Sequence, residues 1–317
     1  MEVAFQVVAG LVLLALGGEG LIRGSVRVAR RLGLSELLIG LTLVGFGTSF
    51  PELVTSIDAA LRGSPGIALG NVVGSNISNV LLIFALAVLI RPIAFYPAAT
   101  GRDAVLGVAV SVLLAALAIA FGELDRWLGA MLAGLLVVYM ASVWRVERIG
   151  RPAVTVRVGK PHAGDPAPKA LWPSAAIAFG GLGLVVFGAD LLVKGAVAGA
   201  RIAGISETVI GLTVVAIGTS LPELVATLAA ALRGRADVAF GTIVGSNIYN
   251  ILGILGVTAL IHPIAMPADI GFVDWAVLVG SSMVLLVLVF TGVRAKRYEG
   301  SLLLTAYCGY IAYLLVR

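Results

Sequence analysis

Apolar runs punctuated by Gly, Pro and charge predict helices near 5–22, 35–61, 67–90, 104–122, 127–144, 173–193, 206–232, 238–261, 271–293 and 300–316. A bilayer core takes about 20 apolar residues per helical crossing. The pattern therefore predicts an all-α integral membrane protein of ten transmembrane helices. Met1 and Glu2 provide no basic flank, and no small-residue cleavage site follows, so 5–22 reads as a retained helix and not a signal peptide.

Composition supports the membrane reading. Sixty per cent of the residues are apolar, 12% are charged and the mean hydropathy is +1.07. A soluble chain of this length needs far more charge on its surface. The net charge of +5 would suggest a nucleic-acid partner, but its distribution does not. With the N-terminus outside, the inward segments hold Arg23, Arg27, Arg30 and Arg31, then Arg91 and Arg102. The linker adds Arg145, Arg148, Arg151, Arg157, Lys160 and Lys169; Arg233, Arg235, Arg294, Lys296 and Arg297 complete seventeen of the 22 basic residues. The positive-inside rule then places both termini outside a cell (inner) membrane and implies no nucleic acid. The single Cys308 excludes disulfides and paired-thiol chemistry, and His162 and His262 are too few for a histidine-rich metal site.

The chain also repeats itself. Residues 39–94 align with 210–265 at a constant offset of 171, without a gap, and 32 of the 56 pairs are identical. The matches include Gly, Pro, Thr, Ser, Glu and Asn, so shared apolar composition does not explain them. Five helices per copy is an odd number, which inverts the second copy in the membrane. Inverted repeats around a midplane site are an architecture of secondary transporters. The expected division is 1–145 as the first five-helix repeat, 146–172 as a Pro-containing basic cytoplasmic linker, and 173–317 as the second repeat.

The best-matched stretches are Gly47-Thr48-Ser49-Phe50-Pro51-Glu52 and Gly218-Thr219-Ser220-Leu221-Pro222-Glu223, each in the middle of an apolar helix. Proline lacks an N–H and clashes with the carbonyl four residues back, here Gly47 and Gly218. A carbonyl freed inside the membrane is tolerated where it is buried or lines a cavity. Thr48 and Ser49 share the helical face of Glu52, as Thr219 and Ser220 share that of Glu223. The next helix contributes Gly74-Ser75-Asn76-Ile77-Ser78-Asn79, and its repeat Gly245-Ser246-Asn247-Ile248-Tyr249-Asn250. Asn71, Ser75 and Asn79 form an i, i+4, i+8 stripe matched by Thr242, Ser246 and Asn250. All are hard oxygen donors, which favours sodium, calcium or magnesium over zinc or copper, and calcium over the tightly hydrated magnesium. A carboxylate at mid-membrane depth costs about 2.5–3.5 kcal/mol on insertion scales, and here it occurs at equivalent places in both halves. Asp58 either lines an outer vestibule or sits at the interface. Glu19 and Asp190 are placed to pair with Arg23 and Lys194, and Glu36 and Glu207 follow the capping residues Ser35 and Ser206.

GTSFPEL with GSNISN, and GTSLPEL with GSNIYN, resemble the two alpha-repeats (39–94 and 210–265) of the calcium/cation antiporter superfamily. The resemblance covers most of the chain and leans to its sodium/calcium exchanger-like prokaryotic branch, because proton-coupled members carry a GNxPE-like signature where this chain has GTSxPE. It implies ten helices, ion sites between the second, third, seventh and eighth, and sliding of the first and sixth to switch access. It also implies Thr48, Ser49, Glu52, Ser75, Asn79, Thr219, Ser220, Glu223, Ser246 and Asn250 as ligands. Asn250 stands where potassium-dependent members carry Asp. On this reading the protein is no enzyme and needs no cofactor or obligatory protein partner. It exchanges calcium for sodium by alternating access, with calcium/proton exchange as the alternative. An intramembrane hydrolase lacks a His or Lys base at the depth of Ser49 or Ser220, and a passive channel would not hold an ion between two charges.

Overall fold

The computed structural model describes residues 2–95, 97–149, 171–202, 216–267, 270–291 and 294–316. Its helices are α1 (Glu2–Leu32), α2 (Leu37–Thr48), α3 (Phe50–Leu61), α4 (Pro65–Ile90), α5 (Pro97–Phe121) and α6 (Arg126–Ile149). There follow α7 (Leu171–Ile202), α8 (Ala216–Thr219), α9 (Leu221–Leu232), α10 (Ala236–Ile261), α11 (Phe272–Thr291) and α12 (Arg297–Val316). Among the described residues seven helices are long and apolar enough to cross a bilayer, or eight if α2 and α3 are one broken span. The predicted span 206–232 is described only from 216 onward, and most of the predicted linker lies outside the described residues.

Two helices form the centre. In α4 and α10, 72% and 89% of the apolar window lies inside the protein, against 22–44% in the other five spans. A membrane helix almost free of charged residues and without a lipid-facing polar face suits such a position. Around them, α6 packs on the C-terminal part of α10, α12 on that of α4, and α5 against α11. The outer faces carry exposed Phe5, Trp127, Trp172 and Phe272, as lipid contact requires.

The long helices α1 and α7 lie along one another. Their seam is glycine: a Cβ on Gly17 would come within 2.7 Å of Val185 N, and one on Gly10 within 2.9 Å of Gly188 O. Backbones meet this closely in membranes where small residues line the contact. Both helices outrun the predicted 5–22 and 173–193, at 31 and 32 residues. Arginines at the polar boundary do not stop a helix, and nothing in the sequence breaks α1 before Gly33, which takes φ 64°.

Contacts recur at the offset of 171, within each half for a tyrosine–aspartate pair and with partners exchanged for the short strands. Tyr139 Oη donates to Asp103 and Tyr310 Oη to Asp274. The strand β1 (Ile93–Ala94) pairs antiparallel with β4 (Arg294–Ala295), and β2 (Glu123–Leu124) with β3 (Ile264–Ala265). Ser111 and Ser282, themselves 171 apart, share a hydrogen bond of 2.9 Å. Mutual contact between equivalent residues is what an approximate two-fold axis produces.

Candidate functional site

The site forms where two helices break. Between α2 and α3 the axis bends by 42°. Ser49 at the break has φ −82° and ψ 6°, and Ser220, between α8 and α9, has φ −88° and ψ 6°. This bridge conformation is sparsely populated and recurs at functional positions. Pro51 and Pro222 then start α3 and α9, where a missing N–H is harmless. Glu52 and Glu223 fall in the first turns of those helices, at the end where the helix dipole favours negative charge. The spacing Ser49-x-x-Glu52 has the form of a capping box, but neither serine caps its own helix.

The serine instead reaches across. Ser49 Oγ donates to Glu223 Oε1 at 2.7 Å, which brings Glu223 within one turn of Glu52. Both glutamates are 1% exposed, and their charges act on one another. Ser220 lies beside Glu52 but donates to Ser75 Oγ at 3.3 Å. Thr48 and Ser246 lie against Glu223. Their hydroxyls donate to backbone carbonyls, Thr48 to Val44 O one turn back at 3.0 Å and Ser246 across to Gly45 O of α2 at 3.2 Å. Asn71 donates to Glu52 O and to Ser56 Oγ, so it braces the backbone of α3.

Asparagines close the other side. Widened π turns begin at Asn79 in α4, running to Phe84, and at Asn250 in α10, running to Ile254. Such turns concentrate at functional sites. Asn76 and Asn247 each donate to the other's backbone carbonyl, at 3.1 and 3.3 Å. Asn79 donates to Asn247 Oδ1 and Asn250 to Asn76 Oδ1, both at 2.9 Å. These four amides join α4 to α10.

The structure thus gathers Thr48, Ser49, Glu52, Ser75, Ser220, Glu223 and Ser246 into one buried polar cluster, which Asn79 and Asn250 extend by one helical turn beyond Ser75 and Ser246. Gly47 is half-buried, beside Leu182 of α7, and Gly218 is buried; Thr219 is half-buried. Inside the cluster Glu52 Oε1 and Oε2, Glu223 Oε2, Asn79 Oδ1 and Asn250 Oδ1 are buried and accept no hydrogen bond among the described residues. Buried acceptors are normally satisfied, and all of these are hard oxygens suited to a sodium or calcium ion. Among the described residues no group of three or more His, Cys, Asp or Glu side chains is placed to hold a metal ion, and the acidic side chains of this cluster are Glu52 and Glu223.

The remaining acids are engaged elsewhere. Asp58 pairs with Arg62 at 2.7 Å, and both side chains are exposed. Glu19 pairs with Arg23 as expected, and also with Arg233 at the end of α9. Asp190 pairs with Lys194 at 2.7 Å, and Ser35 Oγ caps Leu38 N at 3.1 Å. Ser206 and Glu207 lie outside the described residues. Asp103, 0% exposed and held by Arg102 and Tyr139, was not singled out from sequence. The offset that pairs Asp103 with Asp274 and Tyr139 with Tyr310 was the available signal.

A helical membrane fold with paired buried glutamates on broken helices is the kind of site secondary ion transporters build, and the chain belongs to the sodium/calcium exchanger protein family, whose sequence profile matches residues 3–145 and 173–316. A putative antiporter, CaxA, from Alkalimonas amylolytica is 38% identical over 96% of both chains. The sodium/calcium exchanger MaX1 of Methanosarcina acetivorans is 32% identical, again over 96% of each. Among solved structures, the sodium-calcium exchanger NCX_Mj soaked with sodium and calcium superposes with a TM-score of 0.84 at 32% identity. That superposition covers 98% of this chain and 97% of the other.

Proposed function

We propose that the protein exchanges calcium for sodium across the cell (inner) membrane by alternating access, through a single site shared by the two ions. The observation that carries this reading is the set of five buried acceptor oxygens without a hydrogen-bond donor among the described residues, from Glu52, Glu223, Asn79 and Asn250. Two carboxylates balance one calcium. Thr48, Ser49, Ser75, Thr219, Ser220 and Ser246, with the carbonyls of Gly47 and Gly218, supply the neutral oxygens for calcium or for several sodium ions. Because the oxygens are shared, one cargo excludes the other. An empty pair of buried carboxylates is too costly to carry across the barrier, so movement is limited to loaded states.

The chain acts in this scheme as a transporter and not an enzyme, in ten helices arranged as two inverted five-helix repeats, with both termini outside. The matched stretches 3–145 and 173–316 support the division into 1–145, a cytoplasmic linker 146–172, and 173–317. Contacts that recur at the 171 offset, and strand pairs that exchange partners there, support the repeat. MaX1 and NCX_Mj, both described as sodium/calcium exchangers, favour sodium as the coupling ion.

Isotopic calcium uptake into proteoliposomes, with sodium, potassium and proton gradients imposed separately, tests the proposal. Uptake should follow the sodium gradient alone. Uptake that ignores sodium and follows the pH gradient would replace this reading with calcium/proton exchange.

A further inference from the structure

Asn76 and Asn247 are buried, 0% and 5% exposed, and belong to neither the carboxylate pair nor its unpaired oxygens. Their place in the hydrogen-bond chain fixes the direction of every amide beside them. A backbone carbonyl only accepts, so the bond to Asn247 O turns the NH2 of Asn76 toward it and leaves Asn76 Oδ1 on the other side. That oxygen also only accepts, so Asn250 must present its NH2 to it, at 2.9 Å. The carbonyl end of Asn250 is thereby left as a buried oxygen with no hydrogen-bond donor among the described residues. The same logic runs from Asn76 O through Asn247 to Asn79, whose Oδ1 is equally buried and unpaired. An amide that offers oxygen attracts a cation, and the same amide reversed offers N–H and repels it. Reversal of Asn76 would set two carbonyl oxygens against each other.

From this geometry we infer that Asn76 and Asn247 are positioning residues that set the polarity of Asn250 and Asn79 and so make both amides cation ligands. The inference rests on the proposed cation site. Partners in the outer shell of metal ligands contribute about 10- to 100-fold to affinity. Asn76→Ala should therefore raise the calcium Kd about 10- to 100-fold, measured by equilibrium binding of isotopic calcium to the purified full chain.

A merely structural role is separated by two further variants. On an Asn250→Ala background Asn76→Ala should add nothing, because its effect passes through Asn250. On an Asn250→Asp background Asn76→Ala should be neutral or favourable, since both carboxylate oxygens are acceptors and no orienting partner is needed. Asn247→Ala, acting through Asn79, gives the same cycle from the other repeat, and thermal unfolding with size-exclusion elution checks folding. An unchanged Kd in Asn76→Ala, additive losses in the cycle, or failure of both alanine variants to fold would overturn the inference. Wild-type protein that binds calcium normally alongside an unaffected Asn76→Ala defeats the positioning role alone. Wild-type protein that binds neither calcium nor sodium defeats the proposed site and this inference with it.

Discussion

Glu52→Gln is the cleanest perturbation the structure offers. Neither carboxylate oxygen of Glu52 accepts a hydrogen bond among the described residues, so the isosteric amide removes charge without breaking a bond. Glu223 differs, since its Oε1 already accepts from Ser49. Without a cation, a buried carboxylate lying near a second one is an unfavourable element of the fold, and neutralising it should stabilise the empty protein. Replacing a whole buried ion pair by hydrophobic residues of similar volume is neutral or stabilising by up to about 4 kcal/mol, which bounds the gain expected from neutralising Glu52 alone. With a cation the sign reverses. Removing one partner of a buried charge pair costs about 3–5 kcal/mol, equivalent to a loss of roughly 100- to several-thousand-fold in affinity. Thermal unfolding in detergent, with and without calcium, reads both effects. Wild type should gain about 2.7 kcal/mol when calcium is near 100 times its Kd, whereas Glu52→Gln should start more stable and gain nothing. A variant that starts less stable and keeps the calcium-dependent gain would refute the reasoning.

Acidification should weaken calcium uptake, because protons compete for the same carboxylates: occupancy by protons rises as pH falls, so transport at fixed gradients should decline monotonically toward acid. Uptake independent of pH would contradict that competition. Gly17→Ala should destabilise by about 1–3 kcal/mol, the usual cost of overpacking, because the new methyl would lie 2.7 Å from Val185 N; thermal unfolding measures it. Tyr139→Phe should cost about 1.5–3 kcal/mol, as befits a hydrogen bond to a charged group, since it removes a donor from the fully buried Asp103. Unchanged unfolding in that variant would show that the α5–α6 link contributes nothing.

The part of the site legible in sequence was the part with a local signature. Pro51 and Pro222 announce broken helices by their chemistry, and mid-membrane glutamates announce themselves by their cost. Repetition at 171 ties the two together in the sequence itself. The stripe Asn71, Ser75, Asn79 shares one helical face by its spacing, and that spacing conceals Asn76. On an isolated helix that residue points elsewhere, and its partner Asn247 lies 171 residues away. Thr48 carries the pattern of a ligand, but its hydroxyl proton bonds Val44 O, leaving only its lone pairs for an ion. The lengths of α1 and α7 were underestimated because charge marks the membrane boundary and not the helix end. Glu19 likewise showed its local partner Arg23 and hid Arg233, which only the approach of α9 to α1 brings near.

The most direct test of the shared two-carboxylate site is equilibrium binding of isotopic calcium to the purified protein under titration with sodium. The account predicts one calcium per chain, competitive displacement by sodium, and loss of that binding in both Glu52→Gln and Glu223→Gln. Calcium and sodium held at the same time without mutual displacement, or calcium retained at wild-type affinity by either variant, would contradict it.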